Sequence, residues 1–355
     1  MLDTRGRNGD GPIPGSGTTL RIPVRGDHGV PASATAVAVQ VTAAEGTGTG
    51  WLAVMPSGST PGQSANVNVD VPGEEISNLA VVPLGHDGSI EVFTHAPTHV
   101  VVDLVGWWSP VVEAVSAGRF ESNETATRLL DTRVDPTRSK AVTGGTITLD
   151  VTGRAGVPAS GVTAVVVNIA ATDTEGPGFV QAGPASTLRP GRTATLNVDA
   201  AGQTVSSAAV VPVDADGRIA IYTQRGANVV VDVTGWFTDA TAQPSTRGLF
   251  VPNERVTRVL DTRQLGAPLH AGGEISVPVA GSAAVGNIAV TDPAAPGWVQ
   301  LAPGSGLVPG ATANINTPGP GGVLSNAFLV PADGTIRAHT YSQTHVVVDV
   351  AGHMT

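Results

Sequence analysis

Charged residues recur at fixed places along this sequence, so the first question is what chemistry they can do. Leu-Asp-Thr-Arg stands at Leu2–Arg5, Leu130–Arg133 and Leu260–Arg263, and each copy is followed by one aspartate inside a valine-rich run: Asp103, Asp232 and Asp349. In an extended strand, Asp103 shares a face with Val101 and Val105, while Val100, Val102 and Leu104 take the other face. Both faces are apolar, which predicts a central strand and a buried carboxylate. Such a carboxylate needs a cation, since an unpaired buried ion costs several kcal/mol. The arginine of Leu-Asp-Thr-Arg is the equally regular partner. The expected structural ion pairs are therefore Arg5–Asp103, Arg133–Asp232 and Arg263–Asp349, with Asp3, Asp131 and Asp261 on the same face as the arginine, placed either to complete a triad or to cap a turn. As acid and base for glycoside hydrolysis the set is unconvincing, because that reaction needs two carboxylates at a defined separation across a cleft. No catalytic residue is assigned, and the chain is expected not to be an enzyme.

Aromatic side chains offer the second chemistry. Trp51, Phe179 and Trp298 occupy one aligned position, after a glycine-rich turn and at the opening of a strand. There a ring can serve as a platform for a sugar, or it can plug a core, since one aromatic buries roughly 150–250 Å². These three residues are the candidate binding positions.

Other chemistries are excluded or weak. The chain has no cysteine, so it has neither a disulfide framework nor a thiolate nucleophile. Its eight histidines show no ligand spacing, and the Asp-Gly turns lack the later ligands of a calcium loop. No metal and no cofactor are expected. A formal net charge of -10 argues against nucleic acid as a partner. No apolar run is long enough for a membrane-spanning helix. Arg25-Gly26-Asp27 occurs once and has no counterpart in the other copies, and Asn123-Glu124-Thr125 reads as part of a linker.

The elements that position these residues come in three tandem copies. Each copy runs from its Leu-Asp-Thr-Arg, through an Asn-bearing strand (Asn68, Asn197, Asn316), a Val-Pro strand end and an Asp-Gly turn, to the valine run and its closing Gly106, Gly235 or Gly352. Short Val-, Ile- and Thr-rich runs between Gly and Pro clusters predict strands, and Asp-Gly between apolar runs predicts hairpins. The expected fold is all-β: three tandem jelly-roll-like β-sandwich domains of about eight strands each. The boundaries are residues 1–109, 119–238 and 248–355, with short Pro- and Ala-containing linkers between them. Phe120 and Phe250 each open a strand ahead of their motif that copy one lacks, so the chain is expected to start inside a repeat, either as a fragment of a longer product with a missing N-terminal domain or through a misplaced start codon. Copy three lacks the Gly-Val-Pro-Ala-Ser stretch found at Gly29–Ser33 and Gly156–Ser160.

The run Arg128–Arg133, the Gly-Val-Pro-Ala-Ser stretch, the strand ending at Asn168 and Val229–Trp236 together resemble repeat modules of secreted and cell-surface proteins of actinobacteria. The resemblance covers nearly the whole chain and implies an extracellular or cell-surface location, although a leader is not part of this sequence. It implies accessory status and supplies no activity. The function expected first is that of a noncatalytic spacer or adhesion module. The alternatives are a carbohydrate-binding module for polysaccharide or cell-wall glycan, and a receptor-binding component of a phage or injection particle.

Overall fold

The computed structural model describes residues 1–6, 11–62, 64–317 and 319–355. The described residues contain strands and no helix. Copy one supplies β1 (Leu2–Asp3), β2 (Thr18–Pro23), β3 (Ala36–Ala44), β4 (Gly50–Pro56), β5 (Val67–Val69), β6 (Ile76–Pro83), β7 (Ser89–Thr94) and β8 (His99–Trp108). Copy two supplies β9 (Phe120–Asp131), β10 (Gly145–Asp150), β11 (Val162–Thr172), β12 (Gly178–Pro184), β13 (Leu196–Val198), β14 (Val205–Pro212), β15 (Arg218–Thr223) and β16 (Asn228–Thr238). Copy three supplies β17 (Phe250–Asp261), β18 (Glu274–Pro278), β19 (Ala283–Thr291), β20 (Gly297–Pro303), β21 (Ile315–Thr317), β22 (Val323–Pro331), β23 (Thr335–Thr340) and β24 (His345–Met354).

Each copy folds into two four-stranded antiparallel sheets. In copy one the larger has the order β1-β8-β3-β6 and the smaller β2-β7-β4-β5, and the other two copies repeat both orders. The strands nearest the centre touch in a closed circuit: β6 meets β13, then β14, β21, β22, β5 and β6 again. The six sheets are therefore the blades of a six-bladed β-propeller with a pseudo-threefold axis. This corrects the expectation of three β-sandwich domains in a row.

The physical reason lies in the second face of the large blade. Val37, Val39 and Val41 point into an apolar core between the two sheets of copy one, with Leu52, Val54 and Ile90. Ala36 and Ala38, on the opposite face of β3, are equally buried, and join Leu79, Val166, Val285 and Leu329 in a cluster drawn from all three copies. A sandwich would leave that face to water; here it is packed against the other copies.

The Asp-Gly turns were expected to close hairpins, and they do not. Asp87-Gly88 carries the chain from β6 to β7, which belong to different sheets. Gly88 holds a φ of 76°, and Gly217 and Gly334 match it at 72° and 89°. The glycine's positive φ was read correctly from the residues, but the pairing of the flanking strands was not.

Polar contacts seal the three seams between copies. Gln40 Nε2 donates to the Thr195 carbonyl (3.1 Å), Asn168 Nδ2 to that of Ala313 (2.6 Å), and Asn287 Nδ2 to that of Ala65 (2.9 Å). These residues sit at one register position, opposite Asp103, Asp232 and Asp349. The contacts run from copy one to two, two to three, and three back to one.

Candidate functional site

The Leu-Asp-Thr-Arg motif closes each large blade. Leu130 and Leu260 enter the cores of their copies. The threonine holds the start of the last strand: Val100, Val229 and Val346 donate their N–H to Thr4, Thr132 and Thr262 Oγ1, each at 2.9 Å. The same hydroxyls meet His99, Asn228 and His345, one aligned position in the three copies, at 3.0–3.1 Å. Nothing in the residue pattern marks this role for the threonine.

The ion pairs differ from the expected ones. Arg133 Nε and Nη2 bind Asp131, two residues away, at 2.8 and 2.6 Å, and Arg263 binds Asp261 at 2.8 and 2.7 Å. Arg5 does the same with Asp3 at 3.0 and 2.8 Å. The valine-run aspartates take other arginines. Asp232 is bound by Arg128 Nε and Nη2, and Asp349 by Arg258 Nε (2.8 Å) and Nη2 (3.1 Å). Arg128 Nη1 also reaches Asp131 Oδ2 at 2.8 Å, which links the two carboxylates and two guanidiniums into one network. Arg128 therefore stands where Arg133 was expected. A β-bulge is responsible: Leu130 pairs with Val231 but Arg128 with Asp232, so Leu129 is the extra residue. Strict alternation puts Arg128 and Asp131 on opposite faces, and the bulge brings them together.

Burial pushes the Asp232 and Asp349 carboxyls above the ordinary aspartate value, and Arg128 and Arg258 work against that rise. Asp131 and Asp261 are held low by Arg133 and Arg263. Asp103 differs. It is half-buried, and no ion pair to it occurs among the described residues. Burial raises this carboxyl, with the Met1 ammonium pulling the other way.

The three aromatic positions lie on the seam side of the small blades. Trp51 pairs in register with Asn68, Phe179 with Asn197, and Trp298 with Asn316, and each pair points away from its own copy's core. Trp51 stacks on His95 with ring centroids 5.5 Å apart, and Trp298 on Tyr341 at 5.6 Å. All three rings are half-buried, so they are neither core plugs nor fully open platforms.

The structure brings the aromatic and charged sets together at one place. Trp51 of copy one lines an open cleft of about 410 Å³ with Arg258, Arg263, Asp292 and Asp349 of copy three. Thr291 Oγ1, on the same wall, is buried and has no hydrogen-bond partner among the described residues. Arg263 keeps 45% of its side chain exposed and Arg258 30%, and both are held by carboxylates. Phe179 lines a different cleft of about 450 Å³ beneath Glu74 and Glu75. A third space, on the axis, is ringed by Asn68, Asn197, Asn316, Ser77, Ser206 and Ser325 and measures about 60 Å³, enough for a few waters but not for a sugar.

Two minor motifs have structural employment. Asn123 is buried and its Nδ2 donates to the Ala155 and Val233 carbonyls, so the Asn-Glu-Thr tripeptide is committed to the fold. Arg25 of Arg-Gly-Asp donates to the Ala34 carbonyl at 3.0 Å. Among the described residues no cluster of three His, Cys, Asp or Glu side chains suits a metal ion, and no helix is long and apolar enough to cross a membrane.

No family model matches this chain, and a search of curated proteins returns no match. Among solved structures it is similar to a chain in the atomic structure of Sulfolobus Turreted Icosahedral Virus, with 10% identity and a TM-score of 0.22, over 97% of this chain and 86% of that one. A likeness at that level carries no argument about fold or function.

Proposed function

We propose that this protein is a noncatalytic adhesion module that binds a neutral, hydroxyl-rich glycan in the cleft between copies three and one. The observation that carries the reading is the cleft itself, with Trp51 on one wall and Arg258, Arg263 and Asp349 on the other. An aromatic face covers the apolar side of a sugar ring, while paired guanidinium and carboxylate groups donate to and accept from its hydroxyls. The size suits a small-molecule site. The charges favour a neutral sugar over an acidic one, because each arginine is already matched by a carboxylate and no surplus positive charge remains.

A closed ring also weighs against the spacer reading. Three beads in a row add reach, whereas three copies around one axis add only rigidity and a repeated surface. An extracellular location follows from the sequence resemblance and belongs to the same proposal. The test is a glycan array together with a cell-wall pull-down on the intact chain. Saturable capture of a neutral polysaccharide that Trp51→Ala removes supports the reading, and absence of any saturable glycan binding overturns it.

A further inference from the structure

The cleft between copies one and two differs in charge from the one that Trp51 lines. Its walls include Val71, Glu74 and Glu75 of copy one and Pro177, Phe179 and Asp199 of copy two, around about 450 Å³. Phe179 stands at the position aligned with Trp51 and Trp298, and its ring meets that of Tyr222 at a centroid distance of 5.8 Å. The acidic pair belongs to this seam alone: Glu74-Glu75 becomes Gln203-Thr204 in copy two and Gly322-Val323 in copy three. Neutral groups hold these carboxylates. Glu74 accepts from the N–H groups of Asp70 and Val71, and Asp199 from that of Glu75 at 3.4 Å. Among the described residues no lysine or arginine forms an ion pair with Glu74, Glu75 or Asp199. Arg5, whose charge reaches Glu75, is itself bound to Asp3 at 2.8 Å, and Lys140 is paired with Glu175. Burial accordingly pushes the Glu74 and Asp199 carboxyls above the ordinary range, with no facing cation to bring them down.

A second observation at the same seam points to a donor. Asn197 is the register partner of Phe179, so the amide and the ring share one face of the small blade. Asn197 Oδ1 is buried and accepts no hydrogen bond among the described residues, and the same holds for Asn316 Oδ1. Both asparagines line the small space on the axis, and Glu74 and Asp199 line that space as well as the cleft. Asn68, by contrast, is employed, its Nδ2 donating to Ser325 Oγ at 2.9 Å. The unmatched oxygens are carboxylate and amide acceptors beside an apolar wall. An ammonium brings three donors, a positive charge and no acceptor. An alkyl stem behind it covers apolar surface, and an aromatic face attracts the charge.

We propose that the cleft between copies one and two binds an alkylammonium group, the chemistry of a lysine side chain or a diamine, with its stem against Phe179 and its charge at Glu74 and Asp199. This inference does not depend on the glycan-binding reading, and its test reads a different seam.

The probes are cadaverine and, separately, Nα-acetyl-lysine amide, each titrated calorimetrically into the intact chain near neutral pH, with pentanol as the uncharged control. The expected result is saturable binding of at least one amine below about millimolar, and none of pentanol. Binding of cadaverine alone assigns the site to free diamines, and binding of the lysine derivative assigns it to a lysine side chain. Glu74→Gln removes the charge and keeps an acceptor for the Asp70 and Val71 N–H groups, so it should weaken binding about tenfold without lowering the unfolding midpoint. Phe179→Ala should weaken it about threefold or more. Trp51→Ala should leave it unchanged. No saturable binding of either amine up to about ten millimolar overturns the proposal. So does binding that both Glu74→Gln and Phe179→Ala leave undiminished.

Discussion

Arg128 and Asp232 face each other directly across neighbouring strands, and the bulge at Leu129 is what puts them there. Arg258 and Asp349 repeat the arrangement, with Val259 as the bulged residue. The two arginines of copy two thus have separate tasks. Arg128 neutralises a carboxylate that is 4% exposed, while Arg133 stays 45% exposed and holds Asp131 in the turn beyond the strand.

That division predicts unequal costs. Arg128→Ala leaves Asp232 buried without its partner and should destabilise the protein by about 3 kcal/mol, towards the lower end for a broken buried pair because a third of the Arg128 side chain is open to water. Arg133→Ala removes an exposed partner from a carboxylate that Arg128 still holds, and should cost less than about 1 kcal/mol. Denaturant titration of both variants checks the order, and equal losses would contradict it.

The ring makes the copies mutually dependent. Cut out alone, residues 119–238 would expose Phe120, Ala164, Val166, Ala208 and Phe237, which the whole chain buries against the other copies. A contiguous apolar patch of that kind drives association. Light scattering after size exclusion should find the fragment as a trimer or an aggregate. A stable, cooperatively folding monomer would show that each copy is self-sufficient.

Glu74 gives a pH signature. Its Oε2 accepts from the N–H groups of Asp70 and Val71 at 2.7 and 3.3 Å, and burial pushes its carboxyl above the ordinary 4.5, with Asp199 and Asp70 adding to the rise. A raised carboxyl binds its proton more tightly in the folded state. Its contribution to stability is therefore fully present below the ordinary value and lost as pH rises through the raised one. Copy two already carries the amide solution, with Gln203 Oε1 accepting from Asp199 and Ala200. Glu74→Gln should raise the melting temperature at pH 7, and the gain should vanish below about pH 4. A gain that does not depend on pH would exclude this explanation.

The glycines of the last strands should not be equivalent. Gly235→Ala forces a methyl group into the Phe120 ring and the Glu121 carbonyl, at a cost of about 3 kcal/mol. Gly106→Ala meets open space and should change stability by less than about 0.5 kcal/mol. Thermal unfolding of the two variants side by side measures the contrast.

Much of this was legible in the residues, and what was missed has identifiable causes. The threefold repeat, the all-strand character and the burial of Asp232 and Asp349 follow from motif spacing and from apolar residues on both strand faces. The propeller was also foreshadowed, in the alternation of Ala36 and Ala38 with Val37 and Val39. Small residues on one face of a central strand mean that a third layer approaches closely, and the sandwich reading had no use for that face. Arginine partners were misassigned because strict period-two alternation has no place for a bulge, which leaves no mark in Arg128-Leu129-Leu130 as letters. The Asp-Gly turns misled for a related reason: turn residues specify a local φ, not whether the strands on either side pair with each other. The cleft that joins Trp51 to Arg263 and Asp349 was beyond sequence reasoning, since it forms only when copy three closes on copy one.

The central claim is that the cleft between copies three and one takes a neutral glycan on Trp51. The most direct measurement is calorimetric titration of the best array ligand into the wild-type protein, Trp51→Ala and Trp298→Ala. The account predicts saturable binding that Trp51→Ala weakens at least about tenfold and Trp298→Ala leaves intact, because the Trp51 ring lines that cleft. Undiminished binding to Trp51→Ala, or equal loss in both variants, would contradict it.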